Sequence, residues 1–309
     1  MELDYDAVVF AYHDVGVRCL GVLLAHGVNV RLVVTHSVDP NENVWFDSVE
    51  KLARANDIEV ATPEDPNAPA FLSRVQEISP DFIFSFYYRR MLSPAILESA
   101  MRGAFNMHGS LLPKYRGRAP VNWAILRGEH ETGATLHYMV ERADAGDIVD
   151  SQAVPILLDD DAREVFTKVT VAAETVLARS LPALIAGTAA RRPQPILAGH
   201  YFGRRRPEDG RIDWSRPALE IHNLVRAVAP PFPGAFGNVA GERWEIQRTR
   251  LAEGISGPRG ASLFGAGGRC YLSCGDGAVL RLLAAAYAGG PVDLAALAER
   301  AAHQPLPLG

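Results

Sequence analysis

Phe105-Asn106-Met107-His108-Gly109-Ser110-Leu111-Leu112-Pro113-Lys114-Tyr115-Arg116-Gly117 reads as the end of a buried strand that breaks into a loop punctuated by glycine and proline. If 105–108 is extended, the two-residue period puts Asn106 and His108 on one face, roughly 7 Å apart along the strand. An amide and an imidazole then share a pocket.

Outward from this stretch the chain alternates. Apolar runs at 7–12, 30–35, 58–61 and 82–86 are separated by helical periodicity through 27, near 46–56 and near 70–78, and a helix near 93–99 leads back to the Asn106 strand. Such alternation predicts a Rossmann-like parallel sheet with helices on both faces. Ligands of open parallel sheets bind beyond the carboxyl ends of the strands, where Tyr88-Arg89-Arg90 and His108-Gly109-Ser110 stand. After Pro120 the pattern predicts a short helix carrying Trp123, strands over 132–139 and 148–155, and a long helix to about 185. Asp159-Asp160-Asp161 gives that helix an acidic start, favourable to its dipole. Residues 187–195, rich in Ala, Arg and Pro, read as a connection between domains. Beyond them lie a helical period at 219–229 and short strand-like runs at 244–248, 269–273 and 279–283, separated by glycines, which predict a small β-barrel or sandwich. The tail from about 285 carries no legible pattern. Two domains are expected, 1–190 and 204–309, as the length of 309 residues suggests.

Composition narrows the function. Hydrophobic content of 48%, charged content of 22% and a formal charge of −5 are ordinary for a globular protein and give no general field for polyanions, so nucleic acid is not an expected partner. No apolar run approaches the roughly 18 residues of a membrane span, and no signal-peptide pattern opens the chain; the cytoplasm is the expected compartment and no membrane partner is expected. Cys19, Cys270 and Cys274 form no CxxC pair, and His108, His130 and His137 share no ligand spacing, so no metal is expected. Ser110 lies in no GxSxG elbow and no cysteine adjoins a suitable histidine, which argues against covalent acyl transfer.

Asn106 offers uncharged donors and His108 a group suited to acid and base work near neutral pH. Asp144, in a glycine-flanked loop after the strand expected beside Asn106, is the candidate carboxylate; its charge would favour the imidazolium. The trio suits attack of an amine on a carbonyl, where donors at the developing oxyanion are each commonly worth about 3–4 kcal/mol. By residue type alone, the Asn and His serve equally as loop support and Asp144 as a turn residue.

Asn106-x-His108, then Ser110-Leu111-Leu112-Pro113-x-x-x-Gly117, then Asp144-Ala145-Gly146 resembles the signature of the folate-dependent formyltransferases. Within that family the chain is most similar to the formyltransferase portion of the bifunctional polymyxin-resistance enzymes acting on UDP-4-amino-4-deoxy-L-arabinose. The likeness rests on Val9-Phe10-Ala11-Tyr12-His13-Asp14, Phe84-Ser85-Phe86-Tyr87-Tyr88-Arg89, the run HGSLLPKYRGRAP from His108 to Pro120, Arg142-Ala143-Asp144-Ala145-Gly146, Phe202-Gly203-Arg204-Arg205 and Val225-Arg226-Ala227-Val228. It is densest over 82–146 and weakest after about 251.

The resemblance implies a Rossmann-like catalytic domain followed by a small OB-like β-barrel. It implies that Asn106 stabilises a tetrahedral intermediate, that His108 donates and shuttles a proton, and that Asp144 supports that histidine. The formyl donor would be 10-formyltetrahydrofolate, in a pocket of Arg90, Met91, Leu92, Arg118, Val140, Glu141, Arg142, Ala143 and Asp144. The acceptor would be the 4-amine of a UDP-linked amino sugar, attacking directly. Arg204 and Arg205 would bind the diphosphate through paired hydrogen bonds, although the arginine run reads equally as a solvated turn. Tyr87 and Trp123 would stack on a ring or pack as ordinary core aromatics. Methionyl-tRNA formyltransferase shares the two-domain plan, but the loop 36–43 has no Lys or Arg. A formyltetrahydrofolate hydrolase is the other alternative. The bifunctional enzymes continue into an oxidative decarboxylase for which this chain has too few residues, so either a separate protein supplies that step or the chain formylates a different amino sugar.

Overall fold

The first apolar run becomes strand β1 (Asp6–Ala11) in a computed structural model that describes residues 5–40, 42–195 and 199–309. The start of the chain read for a signal peptide, over 1–4, and position 41 of the Lys- and Arg-free loop lie outside the described residues. After β1 come α1 (His13–Ala25), β2 (Asn29–Val34), α2 (Val49–Ala55), β3 (Val60–Ala61), α3 (Pro69–Ile78), β4 (Phe82–Phe86), α4 (Pro94–Leu97) and β5 (Gly103–His108). Then follow β6 (Arg116–Gly117), α5 (Pro120–Leu126), β7 (Glu131–Tyr138), β8 (Ile148–Pro155), α6 (Ala162–Ala186) and β9 (Tyr201–Phe202).

Two compact units emerge. The first takes Met1–Pro120, Glu131–Val154 and Phe166–Gly203. Its sheet runs β3-β2-β1-β4-β5-β7-β8. β1 is parallel to β2 and β4, and β4 to β5, as the strand–helix alternation predicts; β7 then pairs with β5 antiparallel and ends the parallel series. A parallel neighbour needs a crossover that returns along the sheet face, usually a helix. The helical segment between β5 and β7, Val121–His130, instead clusters with the second unit.

Residues of period two bury both faces of the central strands. Val8, Phe10, Leu32, Val34 and Ile83 pack with Phe71 and Val75 of α3 and Ile96 of α4. On the opposite face Phe84 lies between Phe82, Phe86 and Phe105, with ring centroids 5.6–5.8 Å apart.

α6 corrects one expectation. Its 25 residues include an 18-residue window of mean hydropathy 1.4, long and apolar enough to cross a membrane by length and composition. Alanines and threonines dilute the run in the sequence, and half of the window is buried inside the protein, where Val169, Ala173, Val176 and Leu177 are core. The helix begins on a reciprocal cap: Glu164 N–H donates to Asp161 Oδ1 at 2.9 Å and Asp161 N–H to Glu164 Oε2 at 2.8 Å.

The second unit takes Val121–His130, Pro155–Val165 and Arg204–Gly309. It contains α7 (Ala218–Ala227), β10 (Ala235–Val239), β11 (Glu242–Ala252), β12 (Ser262–Ala266), β13 (Arg269–Ser273), β14 (Val279–Tyr287), β15 (Gly290–Pro291), α8 (Leu294–His303) and β16 (Leu306–Pro307). The antiparallel order is β10-β11-β14-β13-β12-β16. A bridge between Val239 and Leu308, with mutual Asn238–Gly309 hydrogen bonds of 2.9 and 3.1 Å, brings the two edges together into a nearly closed barrel. Trp214, Ile246, Leu263, Leu272 and Leu280 fill it, with Ile221 and Val225 of α7 and Leu297 of α8. The tail without a legible pattern therefore holds a helix, capped by Asp293, which accepts from the N–H groups of Ala295 and Ala296. Gly265, which masks β12 in the sequence, is required by that helix: a Cβ there would lie 1.9 Å from the Ala298 carbonyl oxygen.

Replacing Phe84 with alanine should lower the unfolding free energy by about 3–5 kcal/mol, as for other buried aromatic truncations. Urea denaturation would measure it, and a loss below about 1 kcal/mol would show that the four rings are not a load on which the sheet depends.

Candidate active site

The strand period sets the site. β5 offers Asn106 and His108, and β7 lies beside it with Asn106 opposite His137 and His108 opposite Thr135. The buried His137 ring directs Nδ1 at the Tyr138 carbonyl oxygen, 2.8 Å away. A carbonyl only accepts, so Nδ1 carries the proton and Nε2 accepts from Asn106 Nδ2 at 3.0 Å. The same Nδ2 donates a longer bond, 3.4 Å, to Asp144 Oδ1. These partners fix which way the Asn106 amide faces.

His108 is buried, with Nε2 donating to the Tyr115 carbonyl oxygen at 2.9 Å and Nδ1 lying 3.5 Å from Asp144 Oδ1. Both ring nitrogens face acceptors, which a doubly protonated ring satisfies at once. His137 Nε2 is 3.7 Å from the same carboxylate oxygen. Asp144 arrives from the loop after β7 with φ of +52°, a region that L-residues seldom occupy. Its other oxygen accepts from the Gly117 N–H at 2.9 Å. Burial alone would push the Asp144 carboxyl up, but His108 beside it and the Gly117 N–H on its other oxygen hold it well below the usual carboxylate range.

The loop 109–117 is tied to β7 by hydroxyls. Thr135 Oγ1 donates to the Ser110 carbonyl oxygen at 2.7 Å and accepts from Leu112 N–H at 3.2 Å, while Ser110 Oγ donates to the Lys114 carbonyl oxygen at 2.6 Å. Gly109 leaves the space that the Tyr87 hydroxyl fills, since a Cβ there would lie 1.8 Å from it.

Asn106, His108 and Asp144, named from the sequence, thus meet within hydrogen-bonding or ion-pairing distance. Of the expected folate-pocket residues, Arg90, Arg118, Glu141 and Arg142 are exposed, as are the apolar Met91 (57%) and Val140 (44%); Ala143 is half-buried. Leu92 is core, packed with Phe71 and Ile96. Tyr87 packs edge-on to Phe166, and its hydroxyl is buried with no hydrogen-bond partner among the described residues. Trp123 and Arg205 belong to the second unit, where the guanidinium lies 4.9 Å from the indole centroid; Arg204 is exposed. Burial pushes the Arg205 guanidinium down, and its Nε has no partner among the described residues.

Three contributors escaped the sequence reading. His137 was weighed only as a metal ligand, yet the alternation of β7 puts it on the Asn106 face. Gly117 supplies an N–H, which no side-chain pattern reveals. Gln194, in the presumed connection, donates from Nε2 to the carbonyl oxygens of Asp144 and Gly146 at 3.2 and 2.5 Å.

Two family models match the chain, one described as formyl transferase over residues 23–181 and one as formyl transferase, C-terminal domain, over 205–299. Among solved structures, WlaRD, a sugar 3N-formyl transferase crystallised in the presence of dTDP and 5-N-formyl-THF, superposes with a TM-score of 0.71 at 21% identity, covering 94% of this chain and 98% of its own. The N-formyltransferase from Helicobacter canadensis, in complex with folinic acid and dTDP-3-aminofucose, gives 0.71 at 22% identity over 93% and 99%. HypX from Aquifex aeolicus gives 0.64 at 19% identity, covering 92% of this chain and 44% of HypX. At these identities the superpositions speak to the fold.

Asp144 is more acidic in the folded chain than in an unfolded one, so its ion pairing stabilises the fold above the ordinary carboxylate range, about pH 4, and that share is lost as the pH falls below it. Asp144→Asn should lower the thermal midpoint at about pH 7, and the gap to the parent should narrow in melts run toward about pH 3. A gap that does not change with pH would mean that the carboxylate charge is not what stabilises.

Proposed function

Because the chain belongs to the formyl transferase family, we propose that Asn106, His108 and Asp144 move a formyl group from 10-formyltetrahydrofolate to the amine of a nucleotide-linked amino sugar. The observation that carries this reading is the convergence of an amide and an imidazole from one strand with a charged carboxylate from a loop.

The neutral amine attacks the formyl carbon, a C–N bond forms, and negative charge gathers on the formyl oxygen. Asn106 Nδ2 keeps one N–H on His137 and releases the other, engaged only at 3.4 Å, to that oxygen. A proton leaves the attacking nitrogen, and N10 of the folate takes one as its bond to the formyl carbon breaks. His108 carries protons between these atoms, with Asp144 stabilising its charged form. No covalent enzyme intermediate is needed.

The folate occupies the exposed surface offered by Arg90, Met91, Arg118 and Val140 to Asp144, where the apolar side chains of Met91 and Val140 suit the flat face of a pterin, while Leu92, next to Met91 in sequence, lies in the core. Arg90 has no partner among the described residues, whereas Arg89 is committed to Glu42, at 3.1 Å, and to the Tyr12 ring. Arg204, Arg205, Trp123 and Tyr87 serve the sugar nucleotide, the two guanidinium groups taking the diphosphate. The sugar that the sequence motifs favour is UDP-4-amino-4-deoxy-L-arabinose.

Incubation with 10-formyltetrahydrofolate and a panel of UDP- and dTDP-linked 4-amino and 3-amino sugars should give a formamido sugar and tetrahydrofolate, fastest with UDP-4-amino-4-deoxy-L-arabinose. Folate turnover without any sugar would point to a hydrolase, and transfer only to charged methionyl-tRNA would overturn the acceptor. His108→Ala and Asn106→Ala should each lower kcat by about a hundredfold or more with the fold intact by circular dichroism.

A further inference from the structure

We propose that Gln194 is a positioning residue that holds the Asp144 loop in its working conformation. Its segment reads in the sequence as a bare connection, but the chain is pinned there. Arg192 N–H donates to the Ile148 carbonyl oxygen at 3.0 Å, Ile148 N–H returns a bond to Arg192 O at 2.8 Å, and the Arg192 guanidinium donates to Val149 O at 3.2 Å. Two residues on, Gln194 is carried to the loop that precedes β8.

Its side chain is buried, 9% exposed. Nε2 sends its two hydrogens to two carbonyl oxygens, Asp144 O at 3.2 Å and Gly146 O at 2.5 Å, which needs a nitrogen carrying at least two hydrogens. Oε1 is buried with no hydrogen-bond partner among the described residues. An acceptor left unpaired in the interior is unfavourable, so burying this amide makes sense for what its NH2 end does.

What it does is hold a loop with few other ways to lie. Asp144 sits at φ +52°, and at Gly146 a Cβ would lie 1.9 Å from the Tyr138 carbonyl oxygen. Such backbone persists where its surroundings over-determine it. Gly117 fixes only the far carboxylate oxygen; the near one, which faces Asn106, His108 and His137 at 3.4, 3.5 and 3.7 Å, takes its place from the peptide that Gln194 holds. Gln194 touches no reacting atom and acts through Asp144. The kinetic arm of its test rests on the formyl-transfer reading; the structural arm does not.

Gln194→Leu should lower kcat for formyl transfer by roughly 10- to 100-fold in the parent chain and by less than about threefold in an Asp144→Asn background, because a residue acting through Asp144 loses its effect once Asp144 is gone. Equal losses in both backgrounds would overturn the proposal, since a general structural role is additive. Amide hydrogen exchange over 143–147 should be about tenfold faster in Gln194→Leu while protection of β4 is unchanged; unaltered exchange in 143–147 would also overturn it. If the leucine variant does not fold, Gln194→Met, of similar length and without the donors, is read by the same two measurements. Should the parent chain formylate no nucleotide-linked amino sugar, the functional reading fails, and hydrogen exchange still decides the role of Gln194.

Discussion

A carboxylate kept charged inside the first unit is the constraint around which the candidate site is arranged. Burying a charge is costly unless it is paired and hydrogen-bonded. Asp144 meets both conditions with an imidazole on one oxygen and a backbone N–H on the other. The pairing then dictates the neighbours. The Asn106 amide must turn its nitrogen inward, and His137, whose proton is held on Tyr138 O, meets that nitrogen with a lone pair. A left-handed aspartate and a glycine with no room for a side chain follow from bringing that oxygen to the right place.

Much of this was written in local pattern. Strands of period two placed β4, β8 and β13 at their observed bounds and β1, β2, β3 and β7 within two residues of theirs. Asn106 and His108 were legible because a strand's alternation puts them together, and Asp144 because it stands in Asp144-Ala145-Gly146 after the next strand, as the motif resemblance implied. Pairing information was not local. That β7 runs antiparallel to β5, and so sets His137 against Asn106, depends on where an intervening helix packs. Gln194 was illegible for the same reason, since its partners lie about fifty positions earlier. β12 was hidden by the glycine that α8 demands.

The arginines illustrate how packing sorts residues that composition leaves equal. Arg89 and Arg90 are adjacent, yet Arg89 closes a network with Glu42 and Tyr12 in which Tyr12 is pushed up to about 12, chiefly by burial and then by Glu42. That network ties Glu42 to the ends of β1 and β4, while Arg90 stays exposed. In the second unit Arg205 lies over Trp123, and stacking on an indole leaves the edge of a guanidinium, where its donors point, open to an anion.

The near-closure of the barrel bears on how the chain reaches its fold. Val239 and Leu308 meet across roughly seventy residues, a long separation beside the hairpins that join β10 to β11 and β12 to β13. Closing a contact of that span carries an entropy penalty that local hairpins escape, so the seam forms after the strands on either side of it. Until then β10 and β16 are free edges with unpaired N–H and C=O groups, able to pair with another chain. The interval before the seam closes is therefore when this protein is most open to aggregation, and the speed of that last step governs how much of it survives at high concentration.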